Sequence, residues 1–424
     1  MLIHRAQLPA DKRKLWCGGW LVAAAWAAVF PFIMAPEPHR VWGMSASLGY
    51  LCAAVAALSA RPRGRAVSVC LALCGAVVVP FVLLVLTGTA QSEVGVVERS
   101  GLLTLRQATP YLPDPRTVGE VTPYLPGMAV FGLPRAVLGE SGPLPGLLGD
   151  ARLWCAATFL GCLWAARRAM RRPVDDTSAA GGGASRGCAV GAFLASPAVA
   201  LPLCVSGVDL PLTGLLFLAL AFAARRRSVA AGLALGAACS LKWTAWPAVA
   251  VAVTLLAHHG TIRAAVRAAV VAVGGTVLLV LPSALLSPGP LVQQVFAFPI
   301  GRGPFDTPAA SPLPGRLLAD LGPAGWYAAV ALLLGGGLAV VVSLLVRPPH
   351  DLMSAADRLA IGLCVAFFLA PAGRFGYLAL PVTLAVLARL MGGGARRKEA
   401  ARDRVVRTSR PARPAPVSAA RGAR

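Results

Sequence analysis

The sequence is poor in charged residues, and acidic residues are the scarcest of these. Only 13% of its 424 residues are charged and only 17 are Asp or Glu, whereas a soluble protein carries about 25% charged residues. The mean hydropathy is +0.70, and apolar runs long enough to cross a bilayer as helices recur along the chain. These runs lack the alternation of membrane-barrel strands. The composition therefore excludes a soluble globular protein and predicts an all-α polytopic membrane protein.

Motifs of several common enzyme classes are also missing. The sequence contains no P-loop, no GxSxG, no HExxH and no glycine-rich strand-to-helix turn. Its ten cysteines lie in or beside apolar runs and form no CxxC pair, which argues against a disulfide framework or a metal site. His258 and His259 have no acidic neighbour in the sequence. We therefore expect no metal and no cofactor.

The basic residues indicate how the chain is oriented. A net charge of +23 suggests nucleic-acid binding, but the basic residues occur in short clusters between apolar runs, as the positive-inside rule requires. With a cytoplasmic N-terminus, thirty of the 40 basic residues fall inside and nine outside, and Lys242 is left within the membrane. This predicts a multi-pass cell-membrane protein with both termini cytoplasmic, an even number of crossings and no nucleic-acid partner.

Apolar run length predicts about twelve membrane segments and a division of the chain into loops. The seventh and eighth segments are short and nearly continuous, so a hairpin, a broken helix and one long span are all open. We expect one membrane domain over 1–391, with a main extracytoplasmic loop at 89–147, a cytoplasmic linker at 173–187 and a second extracytoplasmic loop at 287–323. A disordered basic cytoplasmic tail is expected at 392–424. The predicted segments are 15–34, 43–60, 66–87, 148–166, 187–205, 208–224, 229–241, 243–257, 264–286, 324–346, 358–371 and 375–391.

The main extracytoplasmic loop concentrates carboxylates and contains two copies of Pro-Tyr-Leu-Pro. Glu93 lies just beyond the third segment, where a carboxylate can accept a proton from a hydroxyl nucleophile. A solvated loop acid is the alternative, and Glu98 beside Arg99 fits that alternative better. Tyr111 and Tyr124, one in each repeat, are candidate substrate contacts, although the prolines also suit rigid corners that fold the loop back onto the bilayer.

Two candidates adjoin short turns. Lys242, in Ser-Leu-Lys-Trp-Thr-Ala-Trp-Pro, is an ionisable group among apolar residues, and such a group indicates a functional site. It suits a phosphate as a point charge, and the alternative is snorkelling to the interface beside two tryptophans. Asp209 precedes Leu-Pro and suits either a helix cap or a substrate contact.

Two arginines in outer loops are candidates for phosphate binding. Arg374 is the only charge in the last outer turn, and an arginine there suits a bidentate phosphate contact or a plain interfacial position. Arg302 is a weaker candidate of the same kind.

Several of these motifs, taken in order, resemble one enzyme family. They are the stretch from Glu93 to Pro113, Pro123 to Arg135, Gly207 to Pro247 ending in LKWTAWP, Ser311 to Leu318, and the final PAGRFGY. The chain resembles the actinobacterial integral-membrane glycosyltransferases of family 87. These belong to the GT-C superfamily and are similar to polyprenyl-phosphate-mannose-dependent α-mannosyltransferases.

The resemblance implies a fold and a mechanism. It implies a GT-C-like bundle of about 10–12 transmembrane helices with a large first extracytoplasmic loop. The enzyme would move a sugar, mannose, from a polyprenyl-phosphate donor to an envelope lipid or glycan hydroxyl at the outer face, with inversion. Glu93 matches the general base, where the superfamily often has Asp, and Glu98 is the second candidate. Lys242 and Arg374 match the groups that stabilise the departing lipid phosphate.

Two other classes remain open at this point. About twelve spans and a break between the seventh and eighth segments also suit a secondary transporter. Unequal outer loops and charges near the outer surface argue against two matched transporter halves. A non-catalytic membrane protein of envelope assembly is the other alternative.

Overall fold

The computed structural model describes residues 10–61, 63–139, 142–171 and 182–392. Within these ranges the fold is all-α, and the only extended pairing is a single parallel bridge between Ala310 and Gly373. This confirms the predicted fold class. The helices are α1 (Ala10–Ile33), α2 (Glu37–Leu58), α3 (Gly64–Leu86), α4 (Ser92–Gln107), α5 (Leu133–Leu138), α6 (Pro143–Gly149), α7 (Ala151–Met170), α8 (Gly182–Leu194), α9 (Pro197–Val205), α10 (Leu210–Ala224), α11 (Ser228–Leu241), α12 (Pro247–His259), α13 (Ile262–Leu286), α14 (Pro288–Leu291), α15 (Pro314–Ala319), α16 (Pro323–Val346), α17 (Leu352–Leu369) and α18 (Phe375–Gly392).

Every predicted membrane segment has a helical counterpart, but the helices differ in length. Seven described helices are long and apolar enough to cross a bilayer, namely α1, α2, α3, α13, α16, α17 and α18. The bent pair α8 and α9 makes an eighth if it counts as one span. The other four predicted segments form α7, which carries arginines at both ends, and the shorter helices α10, α11 and α12.

The bend between α8 and α9 follows from the sequence. Ser196 has an extended backbone and Pro197 opens α9, because proline disfavours helical geometry in the residue before it. The two helices meet at 56°.

The seventh and eighth predicted segments form a hairpin. Lys242 interrupts them with an extended backbone, a 3₁₀ turn follows at Trp243–Ala245, and Pro247 opens α12. α11 runs alongside α13 in the same direction, since Gly232 faces Ala268 and Gly236 faces Ala272. α12 joins α13 through a tight turn and packs against it in the opposite direction.

The turn of this hairpin, at Lys242, does not reach as far as the C-terminal end of the longer helix α13. α10, α11 and α12 have 15, 14 and 13 residues, which is about 20 Å each. The pairing of α11 with α13 places Lys242 near the level of Val280, and α13 continues to Leu286. Lys242 therefore lies roughly 10 Å short of the end of α13, within the depth that this membrane helix covers.

The two predicted outer loops are largely folded. The first contains α4, a 3₁₀ turn at Pro126–Gly132, α5 and α6, and the second contains α14, a π-helical turn at Val292–Ala297 and α15. These segments lie against the bundle and do not extend away from it.

Two other predicted regions fall partly or wholly outside the described residues. Residues 182–187 of the predicted linker 173–187 belong to α8. The remainder of the linker lies outside the described residues, as does the predicted tail beyond Gly392. All ten cysteines are free thiols.

Candidate functional site

Five of the eight predicted site residues come together at one end of the bundle. Arg374 donates a hydrogen bond to Glu93 in an ion pair, and Lys242 does the same to Asp209. The Lys242 ammonium also lies 4.9 Å from the centre of the Tyr124 ring. Tyr124 interacts electrostatically with Glu93, Asp209 and Arg374. We call these five residues, Glu93, Tyr124, Asp209, Lys242 and Arg374, the ion-pair cluster.

Glu93 is held by the way α4 begins. It lies in the first turn of this helix, where the helix dipole favours a carboxylate. The N–H of Gln91 donates to the carbonyl of Val205 at the end of α9, 3.1 Å away. The start of α4 is thereby fixed to the membrane bundle.

Arg152 also fixes the segment that leads into α4. Its fully buried guanidinium forms an ion pair with Asp150 at 2.7 Å. It also donates to the carbonyls of Thr89 (2.9 Å), Cys204 (3.0 Å) and Leu84 (3.2 Å). One side chain therefore joins the ends of α3 and α9 to the segment that leads to Glu93. The sequence offered no sign of this role beyond an arginine next to an apolar run.

Tyr124 is fixed by the second Pro-Tyr-Leu-Pro repeat, which docks on the end of α11. The N–H of Leu125 donates to the carbonyl of Leu241 at 3.0 Å, which satisfies a carbonyl left open at a helix end. Gly127 lies directly against Ser240, so a Cβ there would overlap the serine. The repeat therefore holds Tyr124 beside Lys242.

The two repeats are also tied to each other. The hydroxyl of Tyr111 donates to the carbonyl of Tyr124 at 2.9 Å. Gln294 accepts from the N–H of Thr122 at 2.8 Å and donates to the carbonyl of Leu112 at 2.7 Å. Gln294 is only 2% exposed, so these bonds are formed where water competes little.

The helix that carries Glu93 crosses the segment after Tyr124 at two glycines. Gly101 of α4 lies against the backbone of Gly132, and Gly132 lies against the carbonyl of Val97. A side chain at either position would force the two backbones apart. The close crossing sets the separation between Glu93 and Tyr124.

Asp209 and Lys242 stand at neighbouring helix ends. Asp209 precedes α10 and Lys242 follows α11. Within the described ranges the Asp209 carboxylate makes no capping bond to α10, and it pairs with Lys242 instead. The capping alternative is therefore not what the structure shows.

Arg374 is positioned by contacts between the segment that begins the Ser311–Leu318 motif and the final PAGRFGY motif. The Gly373 N–H donates to Ala309 O at 2.9 Å, and Ser311 N–H donates to Gly373 O at 3.0 Å. Gly315 lies against the Leu369 carbonyl with no room for a Cβ. The Arg374 Nε donates to the Pro308 carbonyl at 3.3 Å.

The cluster has balanced charge and is partly desolvated. Its side chains are 16% (Lys242), 20% (Glu93), 26% (Arg374) and 37% (Asp209) exposed, so their interactions are stronger than those of surface pairs. Burial raises the pKa of Tyr124 well above its ordinary value, and the negative charges of Glu93 and Asp209 add to this. The phenol therefore stays neutral and keeps its proton.

Two buried polar atoms at the site have no hydrogen-bond partner within the described part of the chain. They are Oε2 of Glu93 and Nδ1 of His39. Buried polar atoms are nearly always paired, so an unpaired one indicates a missing partner such as a ligand. His39 and Tyr377 both interact electrostatically with Glu93 and Arg374, and sequence reasoning missed both.

Three predicted residues lie outside the cluster. Glu98 pairs with Arg135 at 3.2 Å and accepts the N–H of Ala151 at 3.0 Å. Burial raises the pKa of Glu98, and these two partners oppose the rise. Tyr111 is fully buried behind Tyr124. Arg302 stacks over Trp326, 4.1 Å from the ring centre.

The donor set at the site is unlike a metal centre. Across residues 10–61, 63–139, 142–171 and 182–392, no three His, Cys, Asp or Glu side chains are grouped so that they could hold a metal ion. The two carboxylates of the cluster can accept a proton, and its two cations can stabilise an anion.

Comparison with protein families gives the broader assignment. The model of glycosyltransferase family 87 matches residues 122–371, more than half of the chain. The chain belongs to glycosyltransferase family 87. Comparison with curated proteins and with solved structures gives no match. Tyr124, Asp209 and Lys242 fall inside the matched region, and Glu93 and Arg374 flank it.

Family membership decides between the function classes left open by the sequence. The protein is a membrane glycosyltransferase, and a secondary transporter or a non-catalytic assembly protein is no longer favoured. The ion-pair cluster is then the strongest candidate for the place where the sugar is transferred.

Proposed function

We propose that this glycosyltransferase moves mannose from a polyprenyl-phosphate donor to a hydroxyl of an envelope lipid or glycan. The transfer takes place at the extracytoplasmic face, with inversion at the sugar. The observation that carries this proposal is a buried carboxylate oxygen of Glu93 that has no partner among the described residues, in the same cluster as the partly desolvated Lys242.

Glu93 is the general base in this proposal. Its Oε1 is bound to Arg374, and its Oε2 has no hydrogen-bond partner in the part of the chain that the structure describes. One oxygen is therefore oriented while the other can take a proton. The acceptor hydroxyl gives its proton to Oε2 as the acceptor oxygen bonds to the anomeric carbon. The bond from that carbon to the phosphate oxygen breaks, and its electron pair stays on the phosphate.

Lys242 and Arg374 stabilise the phosphate that departs. Both are paired with carboxylates, which offsets the cost of keeping cations in a partly buried site. An ammonium has three N–H donors and a guanidinium five, so both cations can contact an entering phosphate while they keep their carboxylate partners. Charge stabilisation of the leaving group is often the largest single contribution to catalysis.

The depth of Lys242 suits a lipid-linked donor. A polyprenyl chain lies in the hydrocarbon and carries its phosphate near the interface. Lys242 lies roughly 10 Å short of the end of α13, where it can meet a phosphate that is still attached to its lipid. Asp209 holds the ammonium in place, and the Tyr124 ring covers one side of it.

The assignment of the outer face rests on charge. α10 has Asp209 at one end and Arg225, Arg226 and Arg227 just beyond the other. Basic loops favour the cytoplasmic side, so the ion-pair cluster is assigned to the opposite side.

Transfer of label from a defined lipid donor tests the proposal. Purified protein in liposomes would receive polyprenyl-phosphate-[¹⁴C]mannose and, as acceptors, octyl α-mannoside or an envelope lipid extract. We expect label to move to the acceptor, and no transfer from a nucleotide-linked [¹⁴C]mannose. Use of the nucleotide sugar in place of the lipid donor would contradict the donor class. Preference for another sugar on the same lipid would contradict the identity of the sugar but not the donor class.

A further inference from the structure

His39 has a buried ring nitrogen to which the proposed catalytic mechanism gives no role. It lies in the first turn of α2, after Pro36 and Pro38. Its ring stacks on Phe30, with centres 6.3 Å apart and planes at 13°. Nδ1 is buried and has no hydrogen-bond partner among the described residues. Leaving such a group unpaired costs about 1–3 kcal/mol, so the position indicates a partner supplied from outside the chain.

The unpaired nitrogen belongs to the same site as the unpaired carboxylate oxygen. His39 interacts electrostatically with both Glu93 and Arg374, which form an ion pair with each other. Two polar atoms that lack partners within the described ranges, Nδ1 of His39 on α2 and Oε2 of Glu93 on α4, therefore border one region. A molecule with more than one hydroxyl could satisfy both.

Glu93 links His39 to the rest of the site. Lys242 interacts with Asp209, Tyr377 and Glu93, whereas His39 interacts with Glu93 and Arg374. In the proposed transfer Glu93 takes the proton of the acceptor hydroxyl. A polar atom that interacts with Glu93 and lacks a partner among the described residues is therefore placed to contact the acceptor.

We propose that His39 binds the acceptor through a hydrogen bond between Nδ1 and an acceptor hydroxyl next to the one that Glu93 deprotonates. The inference rests on the function proposed above and adds the acceptor contact, for a polyhydroxylated acceptor of the sugar type. A neutral imidazole can accept or donate at Nδ1 according to its tautomer, and a hydroxyl can do either. His39 takes no proton from the reaction and acts by holding the acceptor.

Two substitutions separate the ring nitrogen from the packing of the ring. His39→Phe keeps an aromatic ring against Phe30 and removes the nitrogen. His39→Asn restores a polar amide near the position of Nδ1. His258→Phe is the matched control, since His258 is exposed in the last turn of α12, at the end remote from the cluster.

The experiment uses full-length protein in liposomes with polyprenyl-phosphate-[¹⁴C]mannose as donor and octyl α-mannoside as acceptor. We expect His39→Phe to raise the KM for the acceptor about tenfold and to leave the KM for the donor nearly unchanged. His39→Asn should recover part of the loss, and His258→Phe should match wild type. Thermal unfolding of each variant is measured alongside.

The outcomes separate this inference from the proposed function. An acceptor KM unchanged in His39→Phe would overturn the role of His39 while wild-type transfer still stood. An equal loss in donor and acceptor KM would also overturn it. So would lowered unfolding temperatures with no recovery in His39→Asn, since the role would then be structural. Absence of transfer by wild-type protein would instead overturn the proposed function itself.

Discussion

Replacing Lys242 by methionine should impair use of the lipid-phosphate donor far more than use of the acceptor. The ammonium side chain is only 16% exposed, and a hydrogen bond to a charged group in such a setting contributes about 1.5–3 kcal/mol. This corresponds to a loss of roughly 10- to 150-fold in kcat/KM for the donor. Lys242→Arg should retain part of the activity, because it keeps the charge but not the compact fit between Asp209 and the Tyr124 ring.

The assay is the initial rate of transfer as a function of donor concentration at fixed acceptor. Arg302→Met is the matched control, since Arg302 is a cation stacked on Trp326 and lies outside the ion-pair cluster. In a double-mutant cycle, Asp209→Asn should add little to Lys242→Met, because the two side chains act as a pair. A kcat/KM for the donor in Lys242→Met within about twofold of wild type would refute the phosphate role.

Two further substitutions test the scaffold that positions the site. Arg152→Met should lower the free energy of unfolding by about 3–5 kcal/mol, because it leaves the Asp150 carboxylate buried without its cation. Arg106→Met, at an exposed position, is the control. An equal effect of the two substitutions on the unfolding of the detergent-solubilised protein would contradict the account. Gln294→Leu should raise hydrogen exchange across residues 109–125 and lower kcat, because both of its bonds to the Pro-Tyr-Leu-Pro segments are lost; exchange at the wild-type rate would show that Gln294 does not fasten the loop.

The helices could be predicted from the sequence because their signal is local. Run length and composition located the predicted membrane segments to within about six residues of the helix ends, and prolines such as Pro197 and Pro247 mark where two helices begin. They did not locate α4, which lies in a region predicted as a loop. The number of full crossings was harder to predict. α10, α11 and α12 are apolar but have only 13–15 residues. Their depth in the membrane depends on how they pack with the longer α13, and the length of an apolar run does not reveal this packing.

The candidate site was predicted in part. Glu93, Asp209, Lys242 and Arg374 stood out because a charge near an apolar run is costly and so indicates function. Their pairing was not predictable, since Glu93 and Arg374 are 281 residues apart. His39 was missed because it lies in the first turn of an ordinary apolar helix. Its significance lies in a ring nitrogen without a hydrogen-bond partner among the described residues, which only the folded chain shows.

The measurement that tests the central claim most directly is a comparison of Glu93→Gln with Glu98→Gln. Both residues lie on α4. Glu93 has one oxygen without a partner among the described residues, whereas Glu98 is bound to Arg135 and Ala151. Removing a general base should slow single-turnover transfer from bound polyprenyl-phosphate-[¹⁴C]mannose by about 100-fold or more, while donor binding to Glu93→Gln stays near the wild-type level. Folded Glu98→Gln protein should still transfer sugar. Wild-type transfer by Glu93→Gln, or loss of transfer in Glu98→Gln alone, would contradict the account.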